Sequence, residues 1–436
     1  MHKLRTILLG AASVVIVASA ASAADMVAPA PAPAPAAGFN WSGFYVGLGG
    51  GLGAVNHRIS TNALGPGISF NGIGGEGAFG ELTVGYDHML TDRFLLGGFI
   101  DTNLGNIGPS VDITGGPGID LTNSYGFDAV ARLGYMLNGS TLGYVLGGYT
   151  WEHFKLDSGP IGIHYSDSRG GYVLGAGMET AISHNWTIKA EYRYSNYGND
   201  SVLDLGPGAS LNVEPSTHTF HIAANYHFGA EGAGPAIASP VYDWSGLYVG
   251  AAVGAGEVVH DLSILGGGID INGIGGEGVF GELNAGYDHD FGGFVAGLMV
   301  DGNVSGISTD LNLGGGGGSG SLDADYGFDI LGRVGMKVNP STLAYVLGGY
   351  SWGHFKLGGS GPVFGGAGSY DWSSSGFSVG GGLETAVSTH MTLGIEYRYA
   401  QFADKDFSSM LGAPPGSLKV EPSSHTVRVG LKYKFN

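Results

Sequence analysis

Hydrophobic and polar positions alternate with a period of two along most of the chain. Phe44, Val46 and Leu48 alternate with Tyr45, Gly47 and Gly49, and Leu82, Val84 and Tyr86 alternate with Glu81, Thr83 and Asp87. Further on, Phe127, Ala129, Ala131, Leu133 and Tyr135 oppose Asp128, Arg132 and Gly134. Ile188, Ala190, Tyr192 and Tyr194 oppose Lys189, Glu191 and Arg193, while Phe220, Ile222, Ala224, Tyr226 and Phe228 oppose His221, Asn225 and His227. The parity returns at the C-terminal end, where Val427, Val429, Leu431, Tyr433 and Phe435 face away from Arg428, Lys432 and Lys434. A repeat of two residues is that of a β-strand, not of a helix. Eight such segments fit each half of the chain, bounded alternately by short turns and by long Gly/Ser/Asn/Asp-rich stretches.

The pattern is written twice. Trp41-Ser-Gly-Phe-Tyr-Val-Gly returns as Trp244-Ser-Gly-Leu-Tyr-Val-Gly, and Asn71-Gly-Ile-Gly-Gly-Glu-Gly returns from Asn272. Tyr144-Val-Leu-Gly-Gly-Tyr returns at Tyr345, and Glu191-Tyr-Arg-Tyr at Glu396. A spacing of about 200 residues is too long for a solenoid and marks a duplicated domain. The copies run over 39–228 and 243–436, joined by a Pro/Ala-containing linker, 229–242. Ahead of them, residues 1–23 read as a secretory signal. His2, Lys3 and Arg5 precede the apolar run 7–18, and Ala21-Ser22-Ala23 supplies a small-x-small cleavage pattern. Residues 24–38 form a Pro/Ala-rich leader expected to be extended.

One face of these strands is apolar and the other carries charge, which decides between environments. Burying Arg132, Glu191, Arg193 and Asp101 in a soluble sandwich is costly unless each is paired. Exposing the opposite face would leave a very large apolar surface in water. A barrel in a membrane resolves both, with apolar side chains in lipid and polar ones in a lumen. Only a closed barrel satisfies the strand backbone there. The predicted fold is therefore all-β, a transmembrane antiparallel β-barrel. Its expected lumen charge network is Arg132, Glu179, Glu191, Arg193 and Asp101, repeated as Arg333, Glu384, Glu396, Arg398 and Asp301. An aromatic girdle is expected at the periplasmic strand ends. It comprises Trp41, Tyr86, Tyr135, Trp186 and Phe228, with Trp244, Tyr287 and Phe435 in the second copy.

Composition narrows the function classes. Of 436 residues, 85 are Gly, which disfavours a helical bundle because Gly costs roughly 1 kcal/mol per helical position. With no Cys, disulfides, thiol catalysis and cysteine-based zinc modules are excluded. A net charge of −19 argues against nucleic acid as a partner.

Several motifs also carry a resemblance. Trp41-Ser-Gly-Phe-Tyr-Val-Gly after a Pro/Ala leader, Arg132-Leu-Gly-Tyr, Tyr144-Val-Leu-Gly-Gly, Lys189-Ala-Glu-Tyr-Arg-Tyr and the closing Val427-Arg-Val-Gly-Leu-Lys-Tyr-Lys-Phe are the segments concerned. Together they resemble the alphaproteobacterial small outer-membrane barrel proteins, the "porin family" or outer-membrane immunogenic proteins. The resemblance spans essentially the whole chain after residue 23, once per half. It implies an eight-stranded barrel, an outer-membrane location and no catalytic residues. This chain departs from it in being duplicated, and in carrying Gly394 where the first copy has Lys189.

The remaining motifs admit plainer readings. Gly72-Ile-Gly-Gly-Glu-Gly and its copy at Gly273 are followed by a period-two strand rather than a helix, so they read as loop-to-strand turns, not as phosphate loops. His57, His153 and His218 recur as His260, His354 and His425 near expected extracellular strand ends. Without tight ligand spacing they read as polar rim residues, and no metal, cofactor or catalytic site is expected. The lumen charges either plug a narrow barrel or line a selective channel. Inward Gly47, Gly49, Gly134, Gly175 and Gly177 favour the plug.

Two architectures fit the pattern: two tandem eight-stranded barrels, or one sixteen-stranded porin. The linker favours the first, since about 14 residues can span roughly 45 Å. The expected role is a structural or surface outer-membrane protein with porin-like passage of small solutes. The alternative is a general diffusion porin, and an outer-membrane hydrolase is the least favoured class. Expected partners are outer-membrane lipid, lipopolysaccharide and the barrel-assembly machinery.

Overall fold

In the computed structural model, the described residues are 38–435 except the short stretches 63–66, 115–117, 159–162, 207–208, 231–233, 265 and 363–365. The expected signal (1–23) and nearly all of the leader lie outside them. The period-two segments form long strands. The first half contributes β1 (Gly43–Thr61), β2 (Ile68–Met89), β3 (Phe94–Gly108), β4 (Ser110–Ile113), β5 (Ile119–Met136), β6 (Thr141–Ser158), β7 (Ile163–Ala181), β8 (Trp186–Asn196), β9 (Asp200–Gly206) and β10 (Ala209–His227). The second contributes β11 (Gly246–Ile264), β12 (Ile269–Asp290), β13 (Val295–Leu313), β14 (Gly318–Asn339), β15 (Thr342–Ser360), β16 (Gly368–Ala386), β17 (Met391–Phe402), β18 (Lys405–Asp406) and β19 (Leu418–Lys434). Short β4, β9 and β18 continue the lines of β3, β8 and β17, which leaves eight strand positions in each half.

Strand pairing closes within each half. In the first, every neighbour is antiparallel from β1 round to β8, and β10 joins β8 to β1, with Leu48 opposite Ala224. In the second, β19 joins β17 to β11, with Ala251 opposite Leu431. Closure satisfies the backbone groups that an open sheet would leave bare in lipid. Outward Leu48, Leu82, Val84, Leu298 and Val300 are exposed, as a lipid-facing belt requires.

The two rings also touch. At the end that carries the short turns, the expected periplasmic one, the Asn138 side chain donates to Thr385 (2.8 Å) and the Ala386 carbonyl (3.0 Å). Asn339 does the same to Thr180 (2.8 Å) and Ala181 (3.1 Å). Between these, the Thr141 and Thr342 hydroxyls lie 2.9 Å apart. Midway, Phe220 stacks on Tyr397 with centroids 5.3 Å apart. Beyond the membrane-facing belt, β12 pairs with β4 and β13 with β2. Phe220, expected to face lipid, is therefore only 3% exposed. It points outward as its parity requires, but into the neighbouring ring.

The girdle is in part as expected. Tyr86, Tyr135, Trp186, Phe228, Tyr287 and Phe435 are exposed at strand ends. Trp41 and Trp244 are not, at 0% and 1% exposed. Gly43 (φ +139°) and Gly246 (φ +129°) turn the chain before each first strand, so strand parity does not extend to the tryptophans. Trp41 packs edge-on to His227 at 5.8 Å and closes the periplasmic mouth together with Phe39. A second aromatic cluster, Tyr125, Phe127, Tyr149 and Trp151, lies toward the other strand ends.

The glycine motifs are not turns. Gly72-Ile-Gly-Gly-Glu-Gly lies inside β2 and its copy inside β12, each opposite a register shift, at His57/Arg58 and His260/Asp261. Lacking side chains, these segments let the rings meet: a Cβ on Gly74 would lie 2.6 Å from the Gly275 Cα. The motif's Glu277 lies 3.1 Å from His218 of the first ring, whose other ring nitrogen lies 2.6 Å from the Tyr192 hydroxyl. Glu76, His425 and Tyr397 repeat the arrangement from the other side, at 2.7 Å for both contacts.

Candidate functional site

Inward side chains fill each ring with charge. Arg132 on β5 donates through Nε to Asp87 on β2 (2.9 Å) and through Nη1 to Glu179 on β7 (2.7 Å), with a further short bond from Nη2 to Asp87. Its guanidinium lies between the Tyr45 and Tyr144 rings, 5.0 and 5.1 Å from their centroids. Glu179 also accepts from Asn225 at 2.7 Å. One layer further along the barrel, Arg193 reaches Glu191 (2.6 Å), Asp128 (2.7 Å) and Asp101 (2.8 Å). Glu191 also accepts from Tyr144 at 2.6 Å. Lys189 and His221 hold Glu81, at 3.1 and 2.7 Å.

The second ring repeats the scheme. Arg333 bonds Asp288 (2.8 Å) and Glu384 (2.6 Å) and sits 5.1 Å from the Tyr248 ring centroid. Arg398 reaches Glu396 (2.5 Å), Asp301 (2.7 Å) and Asp329 (2.8 Å). All ten predicted lumen residues thus lie in these clusters, five in each ring. Asp87, Asp128 and Glu81, on the polar face by parity but not among the ten expected network residues, join them and repeat as Asp288, Asp329 and Glu282.

Gly394 explains itself in this setting. Where Lys189 serves Glu81 in the first ring, the matching position on β17, Gly394, offers no side chain in the second. Arg428 on β19 instead makes a short bond to Glu282, and Lys432 reaches Glu384 at 2.8 Å. The charge has moved to the adjacent strand.

Glycines make this density possible. A Cβ on Gly97 would strike the Asp87 carboxylate, and one on Gly297 would strike Asp288. Two voids between the lumen side chains are water-sized, one of about 30 Å³ beside Asn123 and Glu152 in the first ring and one of about 20 Å³ beside Glu282 and Glu384 in the second. Of the paired histidines, those other than His260 have polar partners. His57 faces the Ile73 carbonyl (3.1 Å), His153 meets Ser168 (2.7 Å), and His354 meets Asp325 (3.3 Å). Among the described residues no group of three or more His, Asp or Glu is arranged to hold a metal. No described helix is long and apolar enough to cross a membrane.

A family model for the outer membrane protein β-barrel domain matches residues 11–228 and again 232–435. The chain belongs to that family. Among outer membrane β-barrel relatives, the 31 kDa outer-membrane immunogenic protein of Brucella melitensis is 30% identical over 228 residues, covering 48% of this chain and 95% of its own. The 22 kDa outer membrane protein of Rhizobium leguminosarum is 28% identical, covering 45% and 80%. Among solved structures, Neisserial surface protein A matches 43% of this chain and 98% of its own (19% identity, TM-score 0.28). The Pseudomonas putida toluene transporter TodX matches 90% of each chain (10% identity, TM-score 0.25). The protein is accordingly an outer-membrane β-barrel protein, built from a duplicated domain.

Proposed function

We propose that this outer-membrane protein serves a structural, surface-exposed role and that neither lumen carries a steady aqueous current. The observation that supports this reading is the lumen itself. Buried ion pairs cross it in two layers per ring, and the two voids described among them, of about 20 and 30 Å³, are water-sized. Such a network is a plug, whereas a porin keeps a water-filled channel. Closure of pairing within each half supports two narrow barrels over one wide sixteen-stranded pore, which would need β10 against β11 and β19 against β1. The protein is read as non-enzymatic, in line with relatives named as outer-membrane or immunogenic proteins. Lipid contacts the apolar belt, lipopolysaccharide is the expected neighbour of the outer strand ends, and the barrel-assembly machinery is the expected insertion partner.

Planar-bilayer recording of the purified protein tests the proposal. Small or rare openings are expected. Large, long-lived, weakly selective conductance would replace the proposal with the general diffusion porin.

A further inference from the structure

The two lumens differ at one level. In the second ring the extracellular half is apolar: Phe355 packs on Trp372 (5.4 Å) and Phe402 (5.3 Å), and Trp372 on Phe407 (5.1 Å). At the same level the first ring keeps one such aromatic contact, Phe154 on Tyr197 (5.2 Å), and adds oxygens. Where the second copy has Gly353, Ala324, Ala400 and Phe402, the first has Glu152, Asn123, Ser195 and Tyr197. These four line the void of about 30 Å³ together with Asn103, Asp128 and His221 and the apolar Phe79 and Ile107.

Two side chains in that void lack what burial normally demands. Glu152 is 5% exposed and has no cation within ion-pair distance among the described residues; its hydrogen bond comes from Asn103 at 3.4 Å. Its register partner on β7, Arg169, turns away to Asp167 (2.8 Å) and the Val213 carbonyl (2.7 Å). Asn123 is 4% exposed, and its side-chain oxygen has no hydrogen-bond partner. The charge balance runs the same way. The first lumen buries seven carboxylates against four Lys or Arg, Arg169 among them, with His221 and His227 beside Glu81 and Glu179. The second holds six carboxylates against five Lys or Arg, counting Lys432.

We propose that the first barrel binds one hard, oxygen-preferring divalent cation of the Ca²⁺ class in this void, held by Glu152, Asn123 and Asn103 with Asp128 alongside. Carboxylate, amide and hydroxyl oxygens are Ca²⁺ donors, and no sulfur or imidazole is required. The room is that of one water. That suits Ca²⁺, which takes carboxylate, amide and carbonyl oxygens and a remaining water among its 6–8 ligands in flexible geometry, and not Mg²⁺, which keeps several waters. The inference rests on the plugged reading of the lumen; conductance tests that reading and cation binding tests this one, so the two fail separately.

The test is calorimetric titration of CaCl₂ into the full chain, refolded without lipopolysaccharide in a zwitterionic detergent. One Ca²⁺ per chain is expected, with Mg²⁺ binding at least tenfold more weakly. Glu152→Gln should weaken Ca²⁺ binding at least tenfold, and Asn123→Leu should do so if Glu152→Gln does not fold. Folding of each variant is verified by wild-type mobility on unheated gels. No Ca²⁺ binding by the wild type, binding unchanged in folded variants, or equal affinity for Mg²⁺ would each overturn the proposal.

Discussion

Replacing Arg132 with Ala is the perturbation whose size the structure fixes best. Arg132 is about as buried as any side chain in the first lumen, and both carboxylate oxygens of Asp87 accept from it. Its loss strands Asp87, while Glu179 keeps Thr187, Asn225 and His227. An uncompensated buried charge costs about 3–5 kcal/mol, whereas a solvent-screened pair is worth about 1 kcal/mol or less. The account therefore predicts that Arg132→Ala lowers unfolding stability by about 3–5 kcal/mol. The assay is reversible denaturant unfolding in lipid vesicles, followed by tryptophan fluorescence. Arg132→Met combined with Asp87→Leu should recover most of the loss, because the stranded Asp87 charge goes with its partner and Glu179 keeps its hydrogen bonds. A loss below about 1 kcal/mol for Arg132→Ala would mean a hydrated lumen and refute the plug.

Other predictions follow from the same contacts. Thr141→Cys with Thr342→Cys, in a chain with no native Cys, should oxidise to a disulfide visible as a gel-mobility change, since the hydroxyls lie 2.9 Å apart; failure under oxidant would separate the two periplasmic ends. Gly275→Leu, whose Cβ alone would lie 2.7 Å from the Gly74 Cα, should push the rings apart and be read by spin-label distances; unchanged distances would remove the motif from the seam. Arg428→His should destabilise the second ring by about 3–5 kcal/mol, and adding Gly394→Lys should restore at least half by rebuilding the first ring's arrangement; no restoration in denaturant unfolding would break the proposed exchange of cations. Intact protein should fractionate with the outer membrane and migrate faster unheated, whereas recovery as a folded soluble species would contradict the membrane reading.

What the sequence revealed follows from what a period of two can encode. Alternation sorts every strand residue into inward or outward, so Arg132, Glu179 and Glu191 could be grouped before their contacts were known. It says nothing beyond a strand's end, which is why Trp41 and Trp244 are expected in the interfacial girdle although Gly43 and Gly246 redirect them. Alternation also cannot tell lipid from another barrel, since both demand apolar side chains. Phe220 and Tyr397 carry the same outward signature as Leu48, yet face each other across the seam. The repeated Gly-Ile-Gly-Gly-Glu-Gly was conspicuous, but nothing local marks its Glu as the partner of a histidine in the other copy. That information is long-range, carried by His218 and His425 some 59 and 349 positions away.

The claim that each half closes on itself can be tested with four cysteines. Leu48 lies opposite Ala224 and Ala251 opposite Leu431 across the two closing seams. Single-pair variants would be oxidised, or treated with a short bifunctional thiol reagent, in intact outer membranes. Two closures predict that 48 links to 224 and 251 to 431, each as an intrachain band. A single sixteen-stranded ring predicts the exchanged pairs instead, 224 with 251 and 48 with 431, and their appearance in place of the first pairs would contradict the account.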